Sequence, residues 1–184
     1  MNRAEALKLV QEKLLKKNLV KHSLAVEAVM IALAEHFKED KEIWGLAGLL
    51  HDLDYEETAQ NPEKHGLVTE EWLKGNELDP QIFNIIKAHN GEALNIEPKS
   101  KAEISIFAAD PVTGLIIATA LMNPEKKIKN VNPHSVLKKF KNLKFAAGAN
   151  RENMKAIEKT GLSIPEFLEL SLKAMQKIDN ELEL

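Results

Sequence analysis

The stretch Leu49-Leu50-His51-Asp52-Leu53-Asp54-Tyr55 ends an apolar run on an adjacent imidazole and carboxylate. Residues 42–50 before it are apolar or small on nearly every side, as in a helix buried all round. Desolvating such a pair costs several kcal/mol, which either a mutual hydrogen bond or a coordinated cation offsets. Other groups behave in the same way. His22 shares a helical face with Val26 and Val29, and His89 follows Ile86, Ile85 and Ile82 by three, four and seven residues. His65 opens the segment before Gly66, and Asp110 follows Phe107 and Ile106 by three and four. Each has an ordinary reading as a hydrogen-bonded core residue, and Asp110, which precedes Pro111, as the cap of a new helical segment. Shared ligation accounts for all of them at once. His36, at a helix end, and His134, at a helix start, read as surface residues.

Imidazole and carboxylate ligands without thiolate suit Mn, Fe, Co, Ni or Zn without choosing among them. One such ion brings the pKa of bound water toward ~7, and two ions about 3.5–4 Å apart neutralise the phosphoryl oxygens of an in-line displacement. A carboxylate with both oxygens usable is needed as a bridge, and Asp52 is the expected one. Adjacent helical residues diverge by about 100°, so His51 and Asp52 share an ion only if it lies near the helix end.

The elements that must carry these groups are helical almost throughout. Residues 2–17 and 21–37 have apolar side chains at helical spacing. Asp79-Pro80 opens a helix that ends near His89-Asn90-Gly91. Ser100–Glu103 and Ser163–Glu166 have the capping-box pattern, Asn132-Pro133 marks another start, and Gly75 and Gly161 mark stops. No sustained period-two alternation occurs, so an all-α fold without strands is expected. With 184 residues and no linker-like stretch, the chain reads as a single domain over 1–184.

A formal charge of −3 gives no overall case for nucleic acid or an anionic membrane. The absence of cysteine excludes disulfides and thiolate sites and fits a cytoplasmic chain. No apolar run approaching the ~20 residues of a membrane span is read from the sequence, nor is a signal-like N-terminus. Nothing indicates an oligomer, and Trp44 and Trp72 read as core residues.

The order His22, His51-Asp52, Asp110, all on helices, resembles the HD-domain superfamily of metal-dependent phosphohydrolases. His65 and His89 look like the extended version that holds two ions. The resemblance covers roughly residues 18–122 and implies an HD-domain-like helical bundle, with C-terminal helices over 132–184 packed on it. It also implies that His22, His51, Asp52 and Asp110 bind a first ion, that Asp52 bridges, and that His65 and His89 serve a second. Many members follow the doublet with Gly-Lys, which helps with phosphate, where this chain has the acidic Leu53-Asp54-Tyr55-Glu56; some have paired histidines at the place of His89-Asn90.

The expected function is hydrolysis of a phosphate ester of a small nucleotide or related metabolite, with Asp52 and His65 as catalytic groups. Lys64, Asn90 and Arg151 are the candidate substrate contacts. Arg151 is one of only two arginines, and its guanidinium suits phosphate; its ordinary alternative is an ion pair or a helix C-terminus. Lys138, Lys139, Lys141 and Lys144 read as a solvated face. Asp54 and Glu57 are candidates to orient a ligand histidine or to accept a proton. Two other readings stay open: an HD-fold di-iron oxygenase, whose ligand set is similar, and a non-catalytic helical domain stabilised by metal.

Overall fold

The computed structural model describes residues 1–184. Twelve α-helices and three short 3-10 turns make up the chain, with no strand. In order they are α1 (Arg3–Lys13), α2 (Lys17–Phe37), α3 (Lys41–Leu50), α4 (Tyr55–Thr58), α5 (Leu67–Leu73), α6 (Pro80–His89) and α7 (Gly91–Leu94), followed by α8 (Lys101–Leu121), α9 (Pro133–Lys141), α10 (Arg151–Lys155), α11 (Ile164–Gln176) and α12 (Asp179–Leu182). The caps explain many of the boundaries. Asp40 accepts from the backbone N–H groups of Glu42 and Ile43, Asp79 from that of Gln81, and capping boxes close the starts of α8 and α11.

Helices α2, α3, α6 and α8 pack on one another around the middle of the molecule, while α9, α10 and α11 lie against α8 and α2. One contiguous apolar core runs from Ala6 to Leu182 and includes Phe167, Leu168 and Leu172 of α11. Helix α3 approaches α2 closely enough that a Cβ at Gly48 meets the Glu27 Cα at 3.0 Å. Two glycines of α3, Gly45 and Gly48, therefore set the spacing between the helix that carries His22 and the one that ends at the His51-Asp52 doublet.

Four points of comparison with the sequence reading have physical causes. The stretch 2–17 is not one helix, because extended backbone at Leu14, with a buried side chain, ends α1 and lets α2 start at Lys17. Helix α8 continues through Pro111; the proline removes one helical hydrogen bond, but more than half of the helix is buried and packing outweighs the loss. By length and composition this 21-residue helix passes as a membrane span, contrary to the sequence expectation, although 61% of its apolar window is buried inside the bundle. Trp44 is in the core, whereas Trp72 is only partly buried, with the Lys13 ammonium 3.7 Å from its ring centroid.

Candidate metal centre

Helix α3 stops at Leu50, so His51 and Asp52 lie in the turn just past its end, where the divergence of consecutive side chains no longer separates them. From there Asp52 faces four imidazoles. Its Oδ1 lies 3.0 Å from His65 Nε2 and 3.5 Å from both His51 Nε2 and His89 Nε2, and its Oδ2 lies 3.6 Å from His22 Nε2. Asp110 joins through His22, with 3.0 Å between its Oδ1 and the His22 Nε2. Two triples result, His22–His51–Asp52 and Asp52–His65–His89, and Asp52 is common to both. His51 is fully buried and Asp52 nearly so. His22 and Asp110 are more open, with 23% and 35% of their side chains exposed, so solvent reaches the cluster from their side.

Each imidazole is oriented through its Nδ1. His51 Nδ1–H donates to the Gly48 carbonyl at 2.8 Å, and His89 Nδ1–H donates to that of Ile86. Both acceptors lie one helical turn back, so helix geometry itself aims these two rings. The other two rely on side chains. The Thr113 hydroxyl donates to the Asp110 carbonyl at 2.9 Å and accepts from His22 Nδ1–H at 3.1 Å. His65 Nδ1–H donates to Asp54 Oδ1 at 2.7 Å. All four Nε2 atoms therefore point into the same small space, where a metal ion would take their lone pairs in place of protons.

Charge is arranged to match. Burial pushes the His51 imidazole down to about 4, so its Nε2 is an unprotonated acceptor, and it has no hydrogen-bond partner. Burial also opposes the charged forms of His22 and His65, but their carboxylate neighbours outweigh it and raise them to about 8 and 9. Asp52 is held well below the usual carboxylate range: burial pushes it up, and the surrounding imidazoles, His51 foremost, more than reverse this. His65 Nε2 and His89 Nε2 face each other at 2.8 Å, a contact bridged by the proton that the carboxylates keep on His65, or by a cation in that proton's place. The donor set and the orphaned His51 nitrogen fit a divalent cation. Bonds of about 2.0–2.2 Å place neighbouring ligand atoms roughly 3 Å or slightly more apart, and the separations here run from 2.8 to 3.6 Å.

The HD domain family matches residues 19–114, slightly over half of the chain and the same stretch that carries the cluster. The chain belongs to the HD domain family. It is therefore placed in a superfamily of metal-dependent phosphohydrolases. This HD domain is also similar to proteins named ribonuclease Y from Streptococcus pyogenes strains of serotypes M5, M3 and M1. Each is 25% identical over 170 residues, covering 91% of this chain and 31% of the relative. The chain thus spans about a third of the length of the curated relatives it matches. No solved structure matches it.

The structure does not bring all the expected substrate contacts to the cluster. Arg151 is buried and donates to the backbone carbonyls of Phe140 (3.2 Å), Ala146 (2.9 Å), Lys139 and Asn142 (3.4 Å each), Ala149 and Phe145. Its N–H groups are spent on main chain, leaving none for phosphate. Asn90 likewise gives its amide protons to the carbonyls of Pro62 (2.7 Å) and His65 (3.1 Å), tying the end of α6 to the loop before His65. Both side chains thus commit their N–H groups to main chain in this structure. Lys64 is exposed and adjacent to His65. His36 and His134 are exposed, as read. Thr113 is the contributor that the sequence reading missed; its signal was a hydroxyl three residues beyond Asp110, on the same face of α8.

Proposed function

We propose that this HD domain hydrolyses a phosphate ester of a nucleotide. The observation that carries the reading is the convergence of four imidazole Nε2 atoms, each fixed through its Nδ1, on the single carboxylate of Asp52. In this reading His22, His51, Asp52 and Asp110 hold one divalent ion, and Asp52, His65 and His89 a second. Such ions supply Lewis acidity, bringing water to a pKa near ~7 and offsetting charge on phosphoryl oxygens.

The residues of the chain do the rest. Asp52 presents both oxygens and holds the two halves of the cluster in register. Thr113 and Asp54 keep the lone pairs of His22 and His65 directed inward. His22 and Asp110 form the open side by which an ester approaches. Lys64, at the loop before His65, is the candidate cation for a phosphate reaching that edge.

A second reading extends the substrate from a small nucleotide to an RNA strand. The relatives named ribonuclease Y suggest it, and a local charge asymmetry favours it. Between Lys126 and Asn150 there are seven lysines and no acidic residue, in a chain of net charge −3. All seven except the half-buried Lys139 are exposed. So basic a segment suits a polyanion whose binding weakens steeply with salt.

A turnover screen of Mn- or Fe-loaded protein against mononucleotides, a generic phosphodiester and a short single-stranded RNA tests both. Release of phosphate or nucleotide that chelator abolishes, while the circular dichroism spectrum stays helical, is expected. No turnover of any substrate in protein shown to contain metal sinks the hydrolase reading. Unfolding on chelation favours a structural role for the ion.

A further inference from the structure

Asp54 lies two residues beyond the His51-Asp52 doublet's carboxylate, and its surroundings show what it does. It is fully buried, and both of its oxygens are used. Oδ1 accepts from His65 Nδ1–H at 2.7 Å, while Oδ2 accepts from the backbone N–H groups of Gly66 and Thr69, each at 2.9 Å. Gly66 has φ +87, so the turn that brings its N–H to Asp54 uses a left-handed conformation that L side chains rarely adopt. The backbone of Asp54 is tied in as well, because the Thr58 hydroxyl donates to its carbonyl at 2.8 Å and lies 3.1 Å from the same His65 nitrogen. One carboxylate therefore caps the start of α5, closes the loop 58–66 and fixes the proton of His65 on the nitrogen that faces away from Asp52.

We propose that Asp54 is the positioning residue on which the His65–His89 half of the cluster depends, so that it decides whether the chain holds two divalent ions or one. The proposal rests on the two-ion reading given above. The His22–His51–Asp110 half makes no contact with Asp54; its rings are fixed by Thr113 and by the Gly48 carbonyl. An asparagine in place of Asp54 keeps the shape but turns one acceptor into an N–H₂ donor. That donor faces either His65 Nδ1–H, which is then forced to move its proton to Nε2 and block the ligand lone pair, or the paired N–H groups of Gly66 and Thr69. In the first case His65 loses its ligand lone pair and in the second the turn that carries His65 loses its anchor at Gly66 and Thr69, whereas the first half keeps all of its partners.

The test compares the full chain with Asp54→Asn, both loaded with Zn and dialysed, by elemental analysis per chain and by calorimetric titration of Zn into stripped protein. The expected result is two ions in the parent and one in the variant, with the second affinity weakened by about 10–100-fold, the usual scale for a lost outer partner of a metal ligand. One ion in the parent, or two of parental affinity in the variant, overturns the proposal. Should Asp54→Asn fail to fold, nitrogen NMR of the His65 ring in the Zn-loaded parent decides: the proton on Nδ1 supports it, and the proton on Nε2 overturns it. None of these readouts involves turnover, so a chain that binds two ions and hydrolyses nothing disproves the proposed function and leaves the role of Asp54 standing.

Discussion

The two halves of the cluster are built by different means. His22 and Asp110 ride on α2 and α8, each 21 residues long, and His51 ends α3, which lies against α2 at backbone distance. Packing of the apolar core sets the positions of all three. His65 instead sits in an irregular loop and His89 is the last residue of α6, after which the chain breaks at Asn90. His65 is held by polar side chains, Asp54 within the loop and Asn90 across it, while the last turn of α6 aims His89. Ligands placed by core packing are as rigid as the core, whereas ligands placed by a few hydrogen bonds lose their place one bond at a time.

The contrast predicts unequal responses to the loss of a ligand. His51→Ala is expected to abolish turnover and empty the whole cluster, since Asp52 then loses its most buried neighbour; His89→Ala removes one ion and keeps the other. Elemental analysis of the two purified variants checks this, and loss of both ions from His89→Ala erases the asymmetry.

Arg151→Met lies outside both halves and sharpens the comparison as a control. Its main-chain hydrogen bonds are worth about 2–4 kcal/mol together, which denaturant melts read directly, while metal content and turnover stay at the parental level. Gly48→Ala strikes the packing beneath the helix-built half. Its Cβ meets the Glu27 Cα at 3.0 Å and the Glu27 N at 3.1 Å, so a loss of about 1–3 kcal/mol is expected from overpacking, and an unchanged melting midpoint argues against helix spacing as the determinant.

Two milder substitutions probe one half each. Thr113→Val removes the acceptor for His22 Nδ1–H and is expected to weaken the first ion by about 10–100-fold in a calorimetric titration, without loss of helicity. Asn90→Ala frees the loop before His65 at a cost of about 1 kcal/mol. Hydrogen exchange at residues 62–66 should speed up, with α2 and α3 unaffected.

The ligands carried on helices are legible in the sequence in both halves, because an inward imidazole one turn from valines or isoleucines betrays itself by periodicity, as His22 and His89 do. The doublet was legible for a different reason: two polar residues end an otherwise unbroken apolar run. Residues whose work is to satisfy main chain were not. For Arg151 the sequence offers phosphate or a helix C-terminus, and the guanidinium serves the end of α9 together with carbonyls of the following loop, whose course no spacing rule reveals. The loop that Asn90 ties down is hidden in the same way. Asp54 was weighed as a possible orienter and could not be told from a surface carboxylate, since its partners Gly66 and Thr69 come within reach only after the chain has turned back on itself. The continuity of α8 through Pro111 is a further tertiary effect, where burial overrides a local preference.

The turn between Asn142 and Asn150 has no helix of its own, and Ala146 within it takes φ +45. Its course is imposed by one guanidinium that grips oxygen atoms every residue possesses, like a hub holding spokes. Such a grip is indifferent to what the gripped residues carry outward. Leu143, Lys144, Ala147 and Gly148 are thereby freed to change as the surface requires, and the contour persists while the hub at position 151 does.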